Sequence, residues 1–197
     1  GRFQVLTKAH DGSVWAVWSK QITGASKLVA GHWAPSTGWV LQDIAIDTVT
    51  LLEKFPAILQ RQDDNALIVV ANNSQSATTR NLALVKATFD ALTGGWTWRP
   101  ANLTYRTDVS RGIQDAPDMF WDTFRQLAVV VHDLSGQNFY EVMGFDSNDV
   151  RTDMNTPLLA ITNNEWGAAM PDDITGDYWI FFIDEPVSGA IGRPVFV

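Results

Sequence analysis

The chain has 197 residues, 46% hydrophobic and 18% charged, with a formal net charge of −8 and no cysteine. That length suffices for one domain with a large core, and the composition is that of a globular protein. The acidic balance excludes the phosphate-binding surface of a nucleic-acid protein. No apolar run approaches the ~18–20 residues that insert into a bilayer. Without cysteine there are no disulfides, thiolate zinc sites or thiol nucleophiles.

In chain order, a first strand is predicted at Phe3–Leu6, followed by an Asp11-Gly12 turn and the apolar run Ser13–Ser19. Lys27–Ala30 and Trp39–Ile44 follow as a third and a fourth strand. Asp47–Gln60 carries a weak helical pattern in Leu51, Leu52 and Phe55 that Pro56 would end, and a loop is the preferred reading. Pro56–Leu59 opens the second repeat. After Asp63-Asp64-Asn65 come the apolar run Ala66–Ala71, a strand at Asn81–Val85 and another from Trp96 to Leu103. The third repeat reads Pro117–Phe120, Leu127–His132, Asn138–Val142 and Leu158–Ile161. The fourth reads Ala169–Pro171, the Gly176-Asp177 turn, Tyr178–Ile183 and Ala190–Val197. Proline suits a strand start because it lacks the N–H that a ladder interior needs.

The four apolar runs begin at 13, 66, 127 and 178, spacings of 53, 61 and 51 residues. They lack polar/apolar alternation, as expected of strands buried on both faces. A repeat of this length, rich in β-branched and aromatic residues, predicts an all-β fold: a β-propeller or propeller segment of about four antiparallel blades. The repeats cover approximately 3–53, 54–107, 113–163 and 168–197 of one propeller-like domain. The last repeat stops after its third strand. Its edge is expected to be covered by more polypeptide or by a neighbouring subunit, because open strand edges invite pairing. The chain starts Gly1-Arg2-Phe3 with no leader-like segment, and is expected to be a processed product or one domain of a longer polypeptide.

Thr88-Phe89-Asp90, then Gly94-Gly95-Trp96-Thr97-Trp98, resembles the Asp-box of sialidase-like propellers, with a three-residue insertion. Trp33 with Thr37-Gly38-Trp39, and Phe145-Asp146, are partial versions in the first and third repeats. The resemblance implies a structural turn made by Asp90, Gly94, Gly95 and Trp98, with no catalytic role. Sialidases of that fold use three arginines, a Tyr–Glu pair and an Asp, and their Arg-Ile-Pro motif has no match here; Arg193-Pro194 comes nearest. At this repeat length such enzymes also need about six blades, roughly 300 residues. No catalytic residue is therefore assigned.

Nine tryptophans are many for this length. Trp15, Trp18 and Trp179 are expected in the core. Trp33, Trp39, Trp96, Trp121 and Trp166 lie nearer loops and are candidate ligand-binding residues, since exposed indoles stack on sugar faces. His10, His32 and His132 form no metal or catalytic spacing; His132 near Tyr140 is a remote lyase-like option. Asp146–Asp153 is rich in oxygen ligands suited to calcium but departs from the EF-hand pattern, and a solvated turn is the preferred reading, with no cofactor expected. Asn72-Asn73-Ser74 and Asn102-Leu103-Thr104 are glycosylation sequons.

These features favour a non-catalytic binding or structural propeller, extracellular or at a virion surface, with a glycan, a protein or other subunits of an assembly as partners and no hydrolytic activity of its own. The alternative is a fragment of a sialidase-like glycoside hydrolase or of a propeller polysaccharide lyase.

Overall fold

A computed structural model describes residues 6–23, 25–44, 52–74, 80–99, 113–135, 139–154, 164–184 and 193–196. Fifteen strands and no helix are found among them. Blade I comprises β1 (Leu6–Lys8), β2 (Val14–Ile22), β3 (Ala25–Ala34) and β4 (Gly38–Ile44). Blade II comprises β5 (Leu52–Gln60), β6 (Leu67–Ser74), β7 (Arg80–Asp90) and β8 (Gly95–Arg99). Blade III comprises β9 (Ile113–Asp122), β10 (Leu127–Ser135), β11 (Phe139–Phe145) and β12 (Arg151–Asp153). Blade IV has β13 (Asn164–Pro171), β14 (Tyr178–Asp184) and β15 (Arg193–Phe196).

Within each blade the strands pair antiparallel in chain order. Blades I and II also share one parallel bridge, Ser26↔Leu52, which joins their eight strands into one hydrogen-bonded network. The expected four separate sheets are thus three networks arranged as four blades. The first strands stand side by side, β1 beside β5, β5 beside β9 and β9 beside β13. They form the inner wall of the propeller segment.

The apolar runs do what their composition requires. The middle strands of blades II and III are covered on both faces by neighbouring blades, so period-two residues feed two different cores. Trp15, Val17, Leu28 and Ala30 of blade I pack on Leu67, Val69, Ala83 and Val85 of blade II. The opposite face of blade II, with Ile68, Val70, Leu82 and Leu84, meets Ala128, Val130, Met143 and Phe145 of blade III. Val129, Val131 and Val142 on the far side of blade III meet Ile180 of blade IV. Each fully buried aliphatic side chain in these layers contributes roughly 1.5–3 kcal/mol of transfer free energy.

The turn between first and second strands recurs in all four blades with a left-handed residue. Gly12 has φ 86°, Asn65 58°, Gln126 55° and Gly176 77°. Glycine and asparagine are the residues that reach this region most readily. Each turn also carries an aspartate that accepts backbone N–H groups: Asp11 from Ser13, Asp64 from Ala66, Asp122 from Phe124 and Arg125, Asp172 from Ile174 and Thr175.

Several expectations are corrected. Leu52–Gln60 is a strand, so neither the helical pattern nor the loop describes its second half. Pro56 and Pro117 lie inside strands and not at their starts. The fourth strand of blade III is Arg151–Asp153, whereas Leu158–Ile161 falls outside the described residues.

Candidate functional site

The internal prolines mark the feature that distinguishes the inner strands. In β5 the register with β6 runs Lys54↔Asn72 and then Ala57↔Val70, so Phe55 and Pro56 together oppose Ala71. In β9 it runs Asp115↔Asp133 and then Asp118↔Val131, so Ala116 and Pro117 oppose His132. In β13 it runs Glu165↔Ile183 and then Ala168↔Phe181, so Trp166 and Gly167 oppose Phe182. Each is a two-against-one β-bulge. A bulge leaves one residue without a ladder partner, which is why proline is tolerated there. Bulges bend a strand and concentrate beside active sites.

The three bulges hold the same place within their blades: Ala71, His132 and Phe182, which they oppose, each lie six residues after the left-handed turn residue Asn65, Gln126 or Gly176. Lys54, Asp115 and Glu165 therefore hold the same position, one residue before the bulge, on three adjacent inner strands. Two carboxylic residues and a lysine are thus brought to one level of the inner wall from positions 54, 115 and 165. No sequence motif pointed to them, because their common feature is a register and not a spacing.

Just past the bulges, Asp118 Oδ2 accepts the Ala169 N–H at 2.9 Å, tying β9 to β13 across the blade junction. Burial pushes the Asp118 carboxyl above the usual carboxylate range, opposed by the N–H groups of Ala169 and Met119. Asp118 lies three residues after Asp115, and Ala169 four after Glu165. The clamp consequently fixes how the two acidic positions sit along the wall.

At the other end of the blades, charged and aromatic side chains reach from one blade's first turn to the next blade. Asp11 Oδ2 accepts the indole N–H of Trp96 in blade II at 3.0 Å. Arg61 is fully buried and donates to Asp63 at 2.6 and 3.0 Å, and in blade III to the Asp146 carbonyl at 2.6 Å and to Asp149 at 3.3 Å. Lys86 adds ion pairs to Asp64 at 3.0 Å and Asp149 at 3.5 Å. Asp122 accepts Arg125 at 2.9 Å and the Tyr178 hydroxyl of blade IV, and Arg125 also donates to the Gly176 carbonyl at 2.9 Å. Burial works to raise the carboxyls of Asp11, Asp63 and Asp122, yet these hydrogen bonds outweigh it and hold all three below the usual range. Burial and the Asp122 carboxylate push the Tyr178 hydroxyl well up.

The singled-out residues divide. Trp33 and Trp39 are directly opposite on β3 and β4 and exposed. Trp96 is packed between blades I and II, 5.7 Å from Trp15 and 5.3 Å from Phe89 between ring centroids. Trp121 is buried in the II/III core. Trp121 is therefore an interior residue, whereas Trp96 is half-buried between two blades. Trp166 lies in the β13 bulge. Trp15 is buried as expected, whereas Trp179 is exposed, because it alternates away from the III/IV core on the outer face of blade IV.

Asp90 accepts the Leu92 N–H at 2.9 Å and the Thr93 hydroxyl at 2.8 Å, and Gly94, with φ 68°, closes the turn by donating to the Asp90 carbonyl. This turn is exposed, while Trp98 packs against the I/II core. In the Asp146–Asp153 loop, Asp146 Oδ1 accepts the Asn148 and Val150 N–H groups, and Asp149 is held by Arg61 and Lys86. Among the described residues no group of three or more His, Asp or Glu is placed to hold a metal ion. His10 packs on Phe89 and Trp96, His32 stacks on Trp15, and His132 is fully buried in β10. Asn72 is buried in β6, which removes it as a glycan acceptor in the folded protein.

These blades superpose on solved glycoside hydrolases at low identity, a likeness of fold. An α-L-arabinofuranosidase from Clostridium thermocellum superposes with a TM-score of 0.55 at 15% identity, over 97% of this chain and 66% of its own. A glycoside hydrolase of family 43 from Bacillus licheniformis gives 0.56 at 10% identity, over 97% and 55%. An exo-β-1,3-galactanase from Phanerochaete chrysosporium, solved with β-1,3-galactotriose, gives 0.54 at 13%, over 96% and 45%. The chain thus spans between about half and two thirds of the length of these structures. No family model matches the chain, and no curated protein matches it in sequence.

Proposed function

We propose that the chain belongs to a glycan-processing propeller whose reactive groups are Asp115 and Glu165. The observation that carries this reading is the register of the bulges, which brings two carboxylic residues to one level of adjacent inner strands. The names of the superposing structures add a direction: all three act on glycosides. Glycoside hydrolysis needs two carboxyl groups. One protonates the departing glycosidic oxygen while the other activates water or attacks the anomeric carbon. Lys54, at the same register on β5, is a candidate to hold a substrate hydroxyl. Asp118 is a positioning residue, acting through the β9–β13 clamp. This reading replaces the non-catalytic assembly module favoured by composition, for which the comparisons carry no support. It keeps the glycoside-hydrolase side of the Asp-box resemblance and drops the arginine triad.

The test is cleavage of arabino- and β-1,3-galacto-oligosaccharides by residues 1–197, read as released reducing ends. Asp115→Asn and Glu165→Gln should each lower kcat/KM by about 100-fold or more with unchanged melting. An aryl glycoside with a good leaving group should rescue only the variant that lost the acid. Failure of the wild-type chain to bind or cleave either class, or variants that cleave like wild type, would overturn the proposal.

A further inference from the structure

Resting on the proposed roles of Asp115 and Glu165, we infer that Asp118 is a pH-operated clamp on their site: protonated, it holds β13 against β9, and ionised, it releases the strand that carries Glu165. Equivalent blades provide the comparison. The first residue after the bulge is Ala57 in blade II, Asp118 in blade III and Ala168 in blade IV. Ala57 is buried in the II/III core and packs that junction without a polar group. A carboxyl is thus not needed to seat a blade at this place. It is also costly there, because a polar group taken from water must recover its hydrogen bonds. Asp118 recovers one across the junction, from the Ala169 N–H at 2.9 Å. Among the described residues β13 pairs with β14 alone, so an N–H on its inner edge has no ladder partner, and Asp118 supplies one.

The clamp closes directly beside the proposed chemistry. A bulge lies between Asp115 and Asp118 on β9, and another between Glu165 and Ala169 on β13. Bulges bend their strands and re-aim the residues beside them, so a tie just past both sets how the two levels meet. Burial raises the Asp118 carboxyl, and the N–H groups of Ala169 and Met119 oppose it without cancelling it. The buried arrangement therefore binds the proton more tightly than a hydrated one, and by linkage protonation favours the closed clamp. Closure is lost as pH rises through the folded value, which lies above the usual carboxylate range. The protonated carboxyl keeps an acceptor oxygen for the Ala169 N–H, whereas the ionised one gains more from water. The titratable residues on the elements around it are Asp115 and Asp122 on β9, Asp133 on β10, Glu165 on β13, and Tyr178 and Asp184 on β14. Asp122, Tyr178 and Arg125 bond to one another, and Asp184 lies opposite Arg193. Asp115, Asp133 and Glu165 are all acidic, and like charges add to the preference for the protonated form.

Nuclear magnetic resonance of residues 1–197 from about pH 4 to about pH 8 tests the clamp through amide exchange, corrected for its intrinsic pH dependence. In the wild-type chain the protection of the Ala169 amide should fall by about threefold or more as pH rises. The amide shifts of Trp166 and Gly167 should titrate with the same midpoint. Asp118→Asn is neutral at every pH and still an acceptor, so its Ala169 protection and both shifts should stay constant. Asp118→Ala gives blade III the residue of blade II and should leave Ala169 weakly protected throughout. Normalised to its maximum, the kcat/KM profile of Asp118→Asn should extend to higher pH than that of wild type. Wild-type protection that ignores pH, shifts that stay flat at Trp166 and Gly167, or coincident alkaline limbs would each overturn the inference. A wild-type chain that cleaves no oligosaccharide defeats the roles of Asp115 and Glu165 instead, and the amide data then decide the clamp by themselves.

Discussion

Junctions I/II and II/III hold equivalent blades together with opposite chemistry. The first is aromatic: Trp15 lies 5.5 Å from Trp98 and 5.7 Å from Trp96 between ring centroids, with its indole N–H on Ser13 at 3.0 Å. The second closes around a fully buried guanidinium whose donors go to Asp63, Asp149 and a carbonyl. The repeat dictates where a blade must be latched to the next, and leaves open with what. Aromatic packing loses contact gradually when trimmed, whereas a buried cation tolerates no loss of partners.

The largest effect should follow Arg61→Ala, which takes the guanidinium from the Asp63 carboxylate and the donor from the Asp146 carbonyl and empties a buried site. A loss of about 3–5 kcal/mol in urea unfolding is expected, and a loss under about 1 kcal/mol would show that the latch is dispensable. Tyr178→Phe removes a donor to an ionised carboxylate in junction III/IV and should cost about 1.5–3 kcal/mol. Trp15→Phe keeps an aromatic ring in junction I/II but loses volume and the bond to Ser13. Its expected cost, about 1–2 kcal/mol, should be below that of Arg61→Ala. A reversal of that order would mean that the aromatic junction carries the blade.

Acid sharpens the contrast. The carboxyls of Asp63 and Asp122 are depressed in the folded chain, so their stabilisation is present above the unfolded value near ~3.9. It is lost as pH falls through the lower folded values, and unfolding under mild urea should set in below about pH 4. Asp118 runs the other way. Its raised folded pKa means that the folded state binds the proton more tightly, so its contribution declines as pH rises from the unfolded to the folded value. Asp118→Asn retains an acceptor for the Ala169 N–H and should therefore gain stability near pH 7, with the gain vanishing toward pH 4. An equal change at both pH values would remove burial as the cause. The smallest effect belongs to Asp90→Ala. Because that carboxylate is exposed, its loss should appear as faster amide exchange at Leu92 with little change in melting temperature.

The middle strands and the blade number were legible in the sequence because burial on both faces leaves unbroken apolar runs such as Leu127–Val131. The inner strands were only half legible. A proline in a run reads as a strand start, and nothing local distinguishes that from the bulge that Pro56 and Pro117 occupy. Consequently Asp115 and Glu165, whose kinship is a shared register, stayed hidden. Tryptophan positions failed in both directions. Trp121 sits near a turn yet is buried by blade II, and Trp179 sits in an apolar run yet faces outward, because blade IV has a neighbour on one side alone among the described residues. Arg61 drew no notice in the sequence because its partners in blade III lie 85 and 88 residues away along the chain.

The direction of the latches has a consequence for synthesis. Every turn that reaches across a junction belongs to the earlier blade and grips the later one. A ribosome releases blades in that same order, and domains fold from the N-terminus as they emerge. Blade I can thus present Asp11 before Trp96 has been made, and Arg61 stands ready before the loop at 146–149 exists. A blade buries its apolar faces only against its neighbours, so each newly made blade meets a latch already present on the blade before it.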